Sequence, residues 1–213
     1  MSVPDAPPAF GSPSAPSPPP LKLAVLISGG GTTMLNLADR IDDGSLPASI
    51  RLVLASNHHA AGIGRAEARG LPTRVVARRQ HSDPTTFSQE VFDAVRGAGA
   101  THVCLAGFLS LLVIPPDFAG RVLNIHPSLL PDYGGKGMHG RHVHAAVLAN
   151  GETQTGCTVH FADNTYDTGP ILLQRTCPVL PEDTPETLAA RVFVEECEAY
   201  PAALQLIAEQ QHR

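Results

Sequence analysis

The chain has 213 residues, of which 43% are hydrophobic and 16% are charged, and its formal net charge is −5. This size and composition are typical of one soluble globular domain, and the negative charge argues against a nucleic-acid partner. No apolar stretch is long enough to span a bilayer, and the four widely spaced cysteines predict core thiols of a cytoplasmic protein, not disulfides or a zinc site.

The first segment, residues 1–20, consists mostly of Pro, Ser and Ala and contains no Lys or Arg. It lacks the charged start and apolar middle of a signal peptide, and it lacks the arginines of a transit peptide. A segment of this composition buries too little apolar surface to fold. We therefore expect residues 1–20 to form a disordered arm and residues 21–213 to form the folded domain.

From Leu21 onward, short apolar runs alternate with segments that have helical patterns. Strands are predicted at residues 21–28, 51–56, 73–77, 102–107 and 121–125. The segments between the first four strands predict helices, one of which opens at Asp83-Pro84 and runs to about Gly97. Apolar strands that alternate with helices indicate a parallel sheet covered on both faces.

After the fifth strand the pattern changes. The glycine-rich stretch PDYGGKGMHG (residues 131–140) leads to a helix near residues 142–150, and two strands around a loop follow at 155–179. A last long helix opens at Asp183-Thr184-Pro185, and Pro201 is expected to break or kink it. The predicted fold is a single α/β domain: a mostly parallel, doubly wound (Rossmann-like) sheet with an antiparallel C-terminal addition and a long C-terminal helix.

Two polar side chains, Asn124 and His126, interrupt the apolar run of the fifth strand. Residues two apart on a strand face the same side, and Pro127 keeps His126 extended. Both residues lie at the carboxyl end of a parallel strand, where open α/β sheets bind ligands. The pair therefore indicates a reactive site, with a satisfied core histidine and a loop-binding asparagine as the alternative.

Chemistry at this point requires a third polar group, and the candidate is Asp167 in the loop ADNTYDTGP. A carboxylate near an imidazole raises the imidazole pKa and fixes its tautomer. Turn formation is the alternative role of Asp163, Asn164 and Asp167. Sequence spacing alone does not decide between the two roles.

The turn from Gly29 to Thr33 lies where the first strand meets the first helix. Its backbone N–H groups suit a ribose phosphate, and an ordinary tight turn is the alternative. A dinucleotide site is not expected, because Met34 stands where the motif G-x-G-x-x-G requires glycine.

Two further groups of polar residues have competing interpretations. Glu196 lies on the apolar stripe of the last helix, where it is either a ligand-binding carboxylate or a solvated acid. The histidines at positions 139, 142 and 144 are not expected to bind a metal ion. His144 points away from the other two, and no acidic or cysteine partner lies nearby.

Several longer motifs resemble the folate-dependent formyltransferases, in particular the phosphoribosylglycinamide formyltransferases of purine synthesis. The most specific motif is LNIHPSLLP, which is followed downstream by CTVHF and YDTGPILLQ. The similarity begins at LAVLISGGGTTMLNL, includes VFVEECEAYP and covers residues 21–210. The stretch GGKGMHG is longer than the corresponding loop of the shorter family members.

The resemblance implies transfer of a formyl group from 10-formyltetrahydrofolate to 5'-phosphoribosylglycinamide by a cytoplasmic monomer or homodimer that needs no metal. It assigns catalysis to Asn124, which hydrogen-bonds the formyl oxygen, and to protonated His126, which stabilises the oxyanion and helps protonate the leaving folate nitrogen. Asp167 holds the imidazolium, directly or through water. The resemblance places the ribonucleotide against Gly30, Gly31, Thr32, Thr33 and Glu196. It places the folate against Leu109, Ser110, Leu111, Leu112, Asn124, His160, Asp163, Asn164, Thr165, Tyr166 and Asp167.

Three positions depart from the family pattern. Thr33 stands where asparagine is common, and Ser110 and Pro84 stand at or near positions where arginine is common. These departures leave open how the folate tail is bound, while the three proposed catalytic residues are unaffected.

Three other activities are compatible with parts of the sequence. A 10-formyltetrahydrofolate hydrolase shares the catalytic residues but is expected to carry an N-terminal regulatory domain. A methionyl-tRNA formyltransferase is expected to have basic residues after SLLP, where Asp132 stands here, and a C-terminal RNA-binding domain. A non-catalytic folate- or nucleotide-binding module needs only the glycine turn and a pocket.

Overall fold

The computed structural model describes residues 20–210, so the arm predicted over residues 1–20 lies outside the described part except for Pro20. The strands are β1 (Leu21–Ile27), β2 (Ala48–Ala55), β3 (Thr73–Val75), β4 (His102–Leu105), β5 (Val122–His126), β6 (Gln154–Phe161) and β7 (Ile171–Pro178). The α-helices are α1 (Thr32–Asp42), α2 (Gly62–Ala68), α3 (Pro84–Gly97), α4 (Arg141–Ala149) and α5 (Pro185–Gln210).

The strands form one sheet in the order β3-β2-β1-β4-β5-β6-β7. Strands β1 to β5 are parallel, while β6 and β7 each run antiparallel to the preceding strand. This confirms the predicted mostly parallel sheet with an antiparallel C-terminal addition. The strand order reverses between β1 and β4, and such a switch point is where open α/β sheets bind ligands.

Both faces of the sheet are buried, as the continuous apolar strands predict. Alternate residues of β1 belong to two different core clusters: Leu23 and Val25 to one, Ala24 and Leu26 to the other. The first cluster includes residues of α1, α2, α4 and α5, and the second includes residues of α3. Among the described residues, no helix combines the length and apolarity needed to cross a membrane.

Helix α5 continues through Pro201 to Gln210, so the expected break in the last helix is absent. A proline has no N–H with which to bond the carbonyl group four residues earlier, here that of Cys197. The side-chain nitrogen of Asn36 in α1 donates to this carbonyl at 2.9 Å instead. A distant side chain thus satisfies the group that the proline leaves free.

Strands β3 and β4 end before the predicted limits. After β3 the chain tightens into a 3-10 turn at Arg78–Gln80, and after β4 the backbone turns at Gly107, whose φ is +73°. Strand β5 instead extends one residue further than predicted, to His126. This extension places the imidazole on the strand itself.

Tyr200 links α5 to the centre of the sheet by hydrogen bonds to β4 and β5. Its side chain is fully buried, and its hydroxyl lies 3.2 Å from the carbonyl oxygen of Leu105 and 3.0 Å from that of Leu123. Burial raises the pKa of the Tyr200 phenol, so the hydroxyl keeps its proton and acts as a donor.

We expect Tyr200→Phe to lower the free energy of unfolding by about 1–2 kcal/mol, because the buried carbonyl groups lose a donor while the ring is retained. Urea denaturation measures this change. Tyr166→Phe is the control, since no hydrogen bond of that hydroxyl is formed within residues 20–210 and its unfolding midpoint should not change. Equal midpoints for both variants and the unsubstituted chain contradict this role of Tyr200.

Candidate active site

A cavity of about 580 Å³ opens where β4 and β5 end, next to the switch point of the sheet. Its walls come from the loop after β4, the end of β5, the glycine-rich loop before α4, the loop between β6 and β7, and the helix α5. This is the usual size and position of a small-molecule site in an α/β protein.

Asn124 and His126 both line this cavity, as their spacing on the strand predicts. Strand pairing places Asn124 opposite His160 of β6, and the Asn124 Nδ2 atom lies 3.0 Å from His160 Nε2. The other nitrogen of His160 lies 3.0 Å from the carbonyl oxygen of Phe161, which can only accept, so the ring proton is on Nδ1. His160 Nε2 therefore accepts from Asn124, which fixes the orientation of the amide.

The loop between β6 and β7 brings the Asp167 carboxylate to the same point. Its Oδ1 accepts from Asn124 Nδ2 at 3.2 Å, and its Oδ2 accepts from the Gly135 N–H at 2.9 Å. Oδ2 also lies 3.5 Å from His126 Nδ1. Asp167 has a φ of +58°, in the left-handed region that few residues other than glycine adopt. The amide, the imidazole and the carboxylate predicted from distant segments thus meet in the structure.

The hydrogen bonds of His126 restrict where its protons lie. Its Nε2 is 2.8 Å from the carbonyl oxygen of Tyr133, so Nε2 carries a proton and donates it to this bond. The remaining nitrogen, Nδ1, faces Asp167, and a second proton there converts a repulsive contact into an ion pair. The His126 side chain is buried, with 4% of its surface exposed, so water does not screen this contact fully.

Opposing effects set the charge of both groups. Burial lowers the pKa of His126 below its usual range, while the Asp167 charge and the Tyr133 carbonyl raise it and the nearby His160 lowers it. Burial alone raises the pKa of Asp167, but the polar surroundings of the carboxylate, which include the two histidine rings and the hydrogen bond from the Gly135 N–H, lower it overall. The carboxylate is therefore charged at neutral pH.

Of the five residues predicted to bind the ribonucleotide, two lie in the cavity lining. Thr33 and Glu196 line the cavity, whereas Gly30, Gly31 and Thr32 do not. Gly31 instead forms the left-handed cap of α1 with a φ of +72°, and the Gly30 carbonyl accepts from Arg65 at 3.0 Å. Neither of these features uses a backbone N–H group of the turn, so the predicted binding of the ribonucleotide by these N–H groups stays a prediction.

Glu196 occupies the position that the helical pattern predicts. It follows Leu188 and Val192, both fully buried, on one face of α5, and its own side chain is partly exposed to the cavity. Burial raises the pKa of the Glu196 carboxyl to about 7. The carboxyl makes no hydrogen bond or ion pair with the described residues, so it is available to a ligand.

The residues predicted to bind the folate also line the cavity, with one exception, and together they are called the folate wall. The lining includes Leu109, Ser110, Leu111, Leu112, His160, Asp163, Thr165, Tyr166 and Asp167. Asn164 is not among these residues, because its side chain turns away to accept the N–H of Ile114 at 2.8 Å. Asn164 therefore supports the wall and does not face the cavity.

Two serines support the same wall from beneath. The hydroxyl oxygen of Ser28 accepts the N–H of Leu109 at 3.0 Å, and that of Ser88 accepts the N–H of Val113 at 2.8 Å. Sequence reasoning missed both residues, because a single serine in a strand or helix carries no sign of such a distant partner.

His144 lines the cavity, a position that sequence reasoning did not predict. Its side chain is 3% exposed, and its Nδ1 is a buried atom without a hydrogen-bond partner in the described part of the chain. The rings of His139 and His142 lie 5.7 Å apart near the start of α4. Within residues 20–210, no three His, Cys, Asp or Glu side chains are arranged to hold a metal ion.

Comparison with known proteins agrees with this geometry. A chloroplastic phosphoribosylglycinamide formyltransferase of Arabidopsis thaliana is 40% identical over 193 residues, which make up 89% of this chain and 66% of the relative. A trifunctional purine biosynthetic protein, adenosine-3, of Drosophila pseudoobscura pseudoobscura is 38% identical over 196 residues, or 90% of this chain and 14% of the relative. This chain therefore spans only part of the length of these two relatives.

A solved structure resembles the whole fold. Glycinamide ribonucleotide transformylase 1 from Symbiobacterium toebii superimposes with a TM-score of 0.82 at 34% sequence identity, covering 90% of this chain and 89% of that one. The family model described as formyl transferase matches residues 21–204, which include every strand of the sheet and the cavity lining. The chain belongs to the formyl transferase family.

Proposed function

We propose that this protein transfers a formyl group from 10-formyltetrahydrofolate to the amine of 5'-phosphoribosylglycinamide, in de novo purine biosynthesis. The observation that carries the proposal is the meeting of Asn124, His126 and Asp167 at one end of a cavity of small-molecule size. The names of the Arabidopsis relative and of the Symbiobacterium structure support the choice of substrates. We further propose that residues 21–213 form the catalytic domain and that the enzyme acts in the cytoplasm without a metal.

The reaction needs charge stabilisation and proton transfer. The amine lone pair attacks the formyl carbon, the carbonyl oxygen becomes an oxyanion, and the bond from carbon to the folate N10 then breaks. The amine loses a proton and N10 gains one, giving formylglycinamide ribonucleotide and tetrahydrofolate. An enzyme accelerates such a reaction with donors that face the developing oxyanion and with a correctly placed acid and base.

Asn124 is suited to bind the formyl oxygen. One of its amide hydrogens is held by His160 at 3.0 Å, and the other is shared with Asp167 at the longer distance of 3.2 Å. We infer that the formyl oxygen replaces Asp167 as the acceptor of the second hydrogen. His160 then keeps the amide in the orientation that presents this hydrogen.

His126 is suited to exchange the proton through Nδ1. Its Nε2 proton is committed to the Tyr133 carbonyl, so gain and loss of a proton occur at the nitrogen that faces Asp167. The Asp167 charge favours the imidazolium that stabilises the oxyanion and protonates the leaving N10. Burial opposes this form, so the imidazolium depends on the carboxylate.

Substrate binding is distributed over the rest of the cavity. The unpartnered carboxyl of Glu196 can accept hydrogen bonds from the amine or hydroxyl groups of the ribonucleotide, with Thr33 beside it. The apolar wall at Leu109–Leu112 offers a surface for the pteridine ring of the folate.

Purified protein should form tetrahydrofolate from 10-formyltetrahydrofolate only when 5'-phosphoribosylglycinamide is present, as followed by absorbance. His126→Ala and Asp167→Asn should each lower kcat by about 10²–10⁴-fold, because each removes part of the acid–base pair. His142→Ala, which changes an exposed histidine outside the cavity lining, is the control and should retain full activity. Folate turnover without the ribonucleotide indicates a hydrolase, and no turnover in either condition indicates a binding module.

We expect Asp167→Asn to lower the pKa of His126, because it removes the negative charge that favours the imidazolium. An NMR titration of the His126 ring protons measures this shift. Asp163→Asn is the matched control, since it neutralises a carboxylate of the same loop that bonds within the loop, to Thr165 and Thr168. A His126 pKa that is unchanged or raised in Asp167→Asn rules out the proposed dependence on the carboxylate.

We expect Glu196→Gln to be more stable than the unsubstituted chain at pH 8, by about 1–2 kcal/mol for a partly exposed group. The folded-state pKa of about 7 exceeds the ordinary value of 4.5, so the folded protein loses stability as pH rises through this interval. The gain should vanish below about pH 4.5, where both states are protonated.

Thermal unfolding at pH 4.5 and pH 8 measures this difference. Glu209→Gln, an exposed acid near the end of the same helix, serves as the control. In the transfer assay Glu196→Gln should also raise KM for the ribonucleotide. If the stability difference between Glu196→Gln and the unsubstituted chain is the same at pH 4.5 and pH 8, the raised pKa of Glu196 is contradicted.

A further inference from the structure

The cavity lining carries more negative than positive charge. Among the described residues that line it, the acids are Asp163, Asp167 and Glu196, and Lys136 is the one Lys or Arg. Both proposed substrates are anions, since the ribonucleotide carries a phosphate and the folate carries glutamate carboxylates. The Glu196 carboxyl, with a pKa of about 7, is ionised only in part at neutral pH, but the two aspartates alone make the lining repel anionic groups unless a cation offsets them locally.

The backbone that presents Lys136 is held in place on both sides. The preceding Gly135 donates its N–H to Asp167 Oδ2 at 2.9 Å, and its carbonyl accepts the N–H of Met138 at 3.0 Å. Gly135 and Gly137 have φ values of +97° and +88°, which other residues rarely adopt. The turn that carries Lys136 is therefore specified by its sequence and fixed to the carboxylate of the site.

Lys136 is close enough to act in the cavity and free to do so. Consecutive Cα atoms are about 3.8 Å apart, so Lys136 adjoins the residue that binds Asp167. Its side chain is exposed and makes no ion pair within residues 20–210. A lysine has a flexible four-carbon stem and a compact ammonium group, which suit it to meet an anion that enters with the ligand.

We propose that Lys136 binds the anionic group of one substrate, either the ribonucleotide phosphate or the glutamate carboxylates of the folate, and so sets the affinity for that substrate. This inference rests on the proposed function.

Steady-state kinetics of Lys136→Ala and Lys136→Arg test the proposal. Lys136→Ala should raise KM for one substrate about tenfold and leave kcat within about twofold, as expected for one charge-assisted contact outside the chemical step. Lys136→Arg retains the charge and should recover most of the affinity. Lys22→Ala is the matched control, since Lys22 is the other lysine of the chain and lies exposed on β1, outside the cavity lining.

Truncated substrates identify the anion. If Lys136 binds the phosphate, the penalty of Lys136→Ala should disappear with the ribonucleoside that lacks this phosphate. If it binds the folate tail, the penalty should disappear with 10-formyltetrahydropteroate, which lacks glutamate. Added salt should raise the affected KM of the unsubstituted enzyme more than that of Lys136→Ala. Unchanged KM values for both substrates, or a loss confined to kcat, overturn the proposal.

A binding experiment separates failure of this inference from failure of the proposed function. If the unsubstituted protein transfers no formyl group, the proposed reaction is wrong, but Lys136 can still be tested by calorimetric titration with ribose 5-phosphate and with folic acid. Weaker binding of one of these probes by Lys136→Ala supports an anion-binding role. Equal affinities of the variant and the unsubstituted protein for both probes, or binding of neither, reject it.

Discussion

The site depends on one shared carboxylate. Asp167 accepts hydrogen bonds from Asn124 on β5 and from Gly135 in the glycine-rich loop, and it faces the imidazole of His126. Removing this charge from water is costly, and the donors around it offset the cost. Because each donor belongs to a different segment, the position of every reactive group is set by how the segments pack. The same carboxylate therefore holds the segments around the cavity together and sets the charge of the site.

Irregular segments around the cavity are held by polar side chains, not by regular secondary structure. Backbone N–H groups in a partly buried loop need acceptors, and Ser28, Ser88 and Asn164 provide them for three residues of the wall after β4. These three bonds hold the wall in place although it is neither a strand nor a helix. A wall that is ordered before the ligand arrives reduces the conformational entropy lost on binding.

The sequence was sufficient to predict the sheet type and the reactive pair on β5. Continuous apolar runs indicate parallel strands, and the period of two places Asn124 and His126 on one side. The bond that compensates for Pro201 was not predictable, because its donor, Asn36, lies 161 positions before the Cys197 carbonyl that accepts it. The roles of the Tyr133 carbonyl and the Gly135 N–H were also hidden, since every residue has these groups and only the fold selects which ones act.

The left-handed backbone of Asp167 limits which residues evolution can place there. A side chain at this φ of +58° is strained for most amino acids, while aspartate and asparagine tolerate it comparatively well. Glutamate, although it keeps the acid, adds a methylene and prefers other backbone angles. A residue at this position must therefore satisfy both the left-handed backbone and the negative charge, and aspartate meets both conditions.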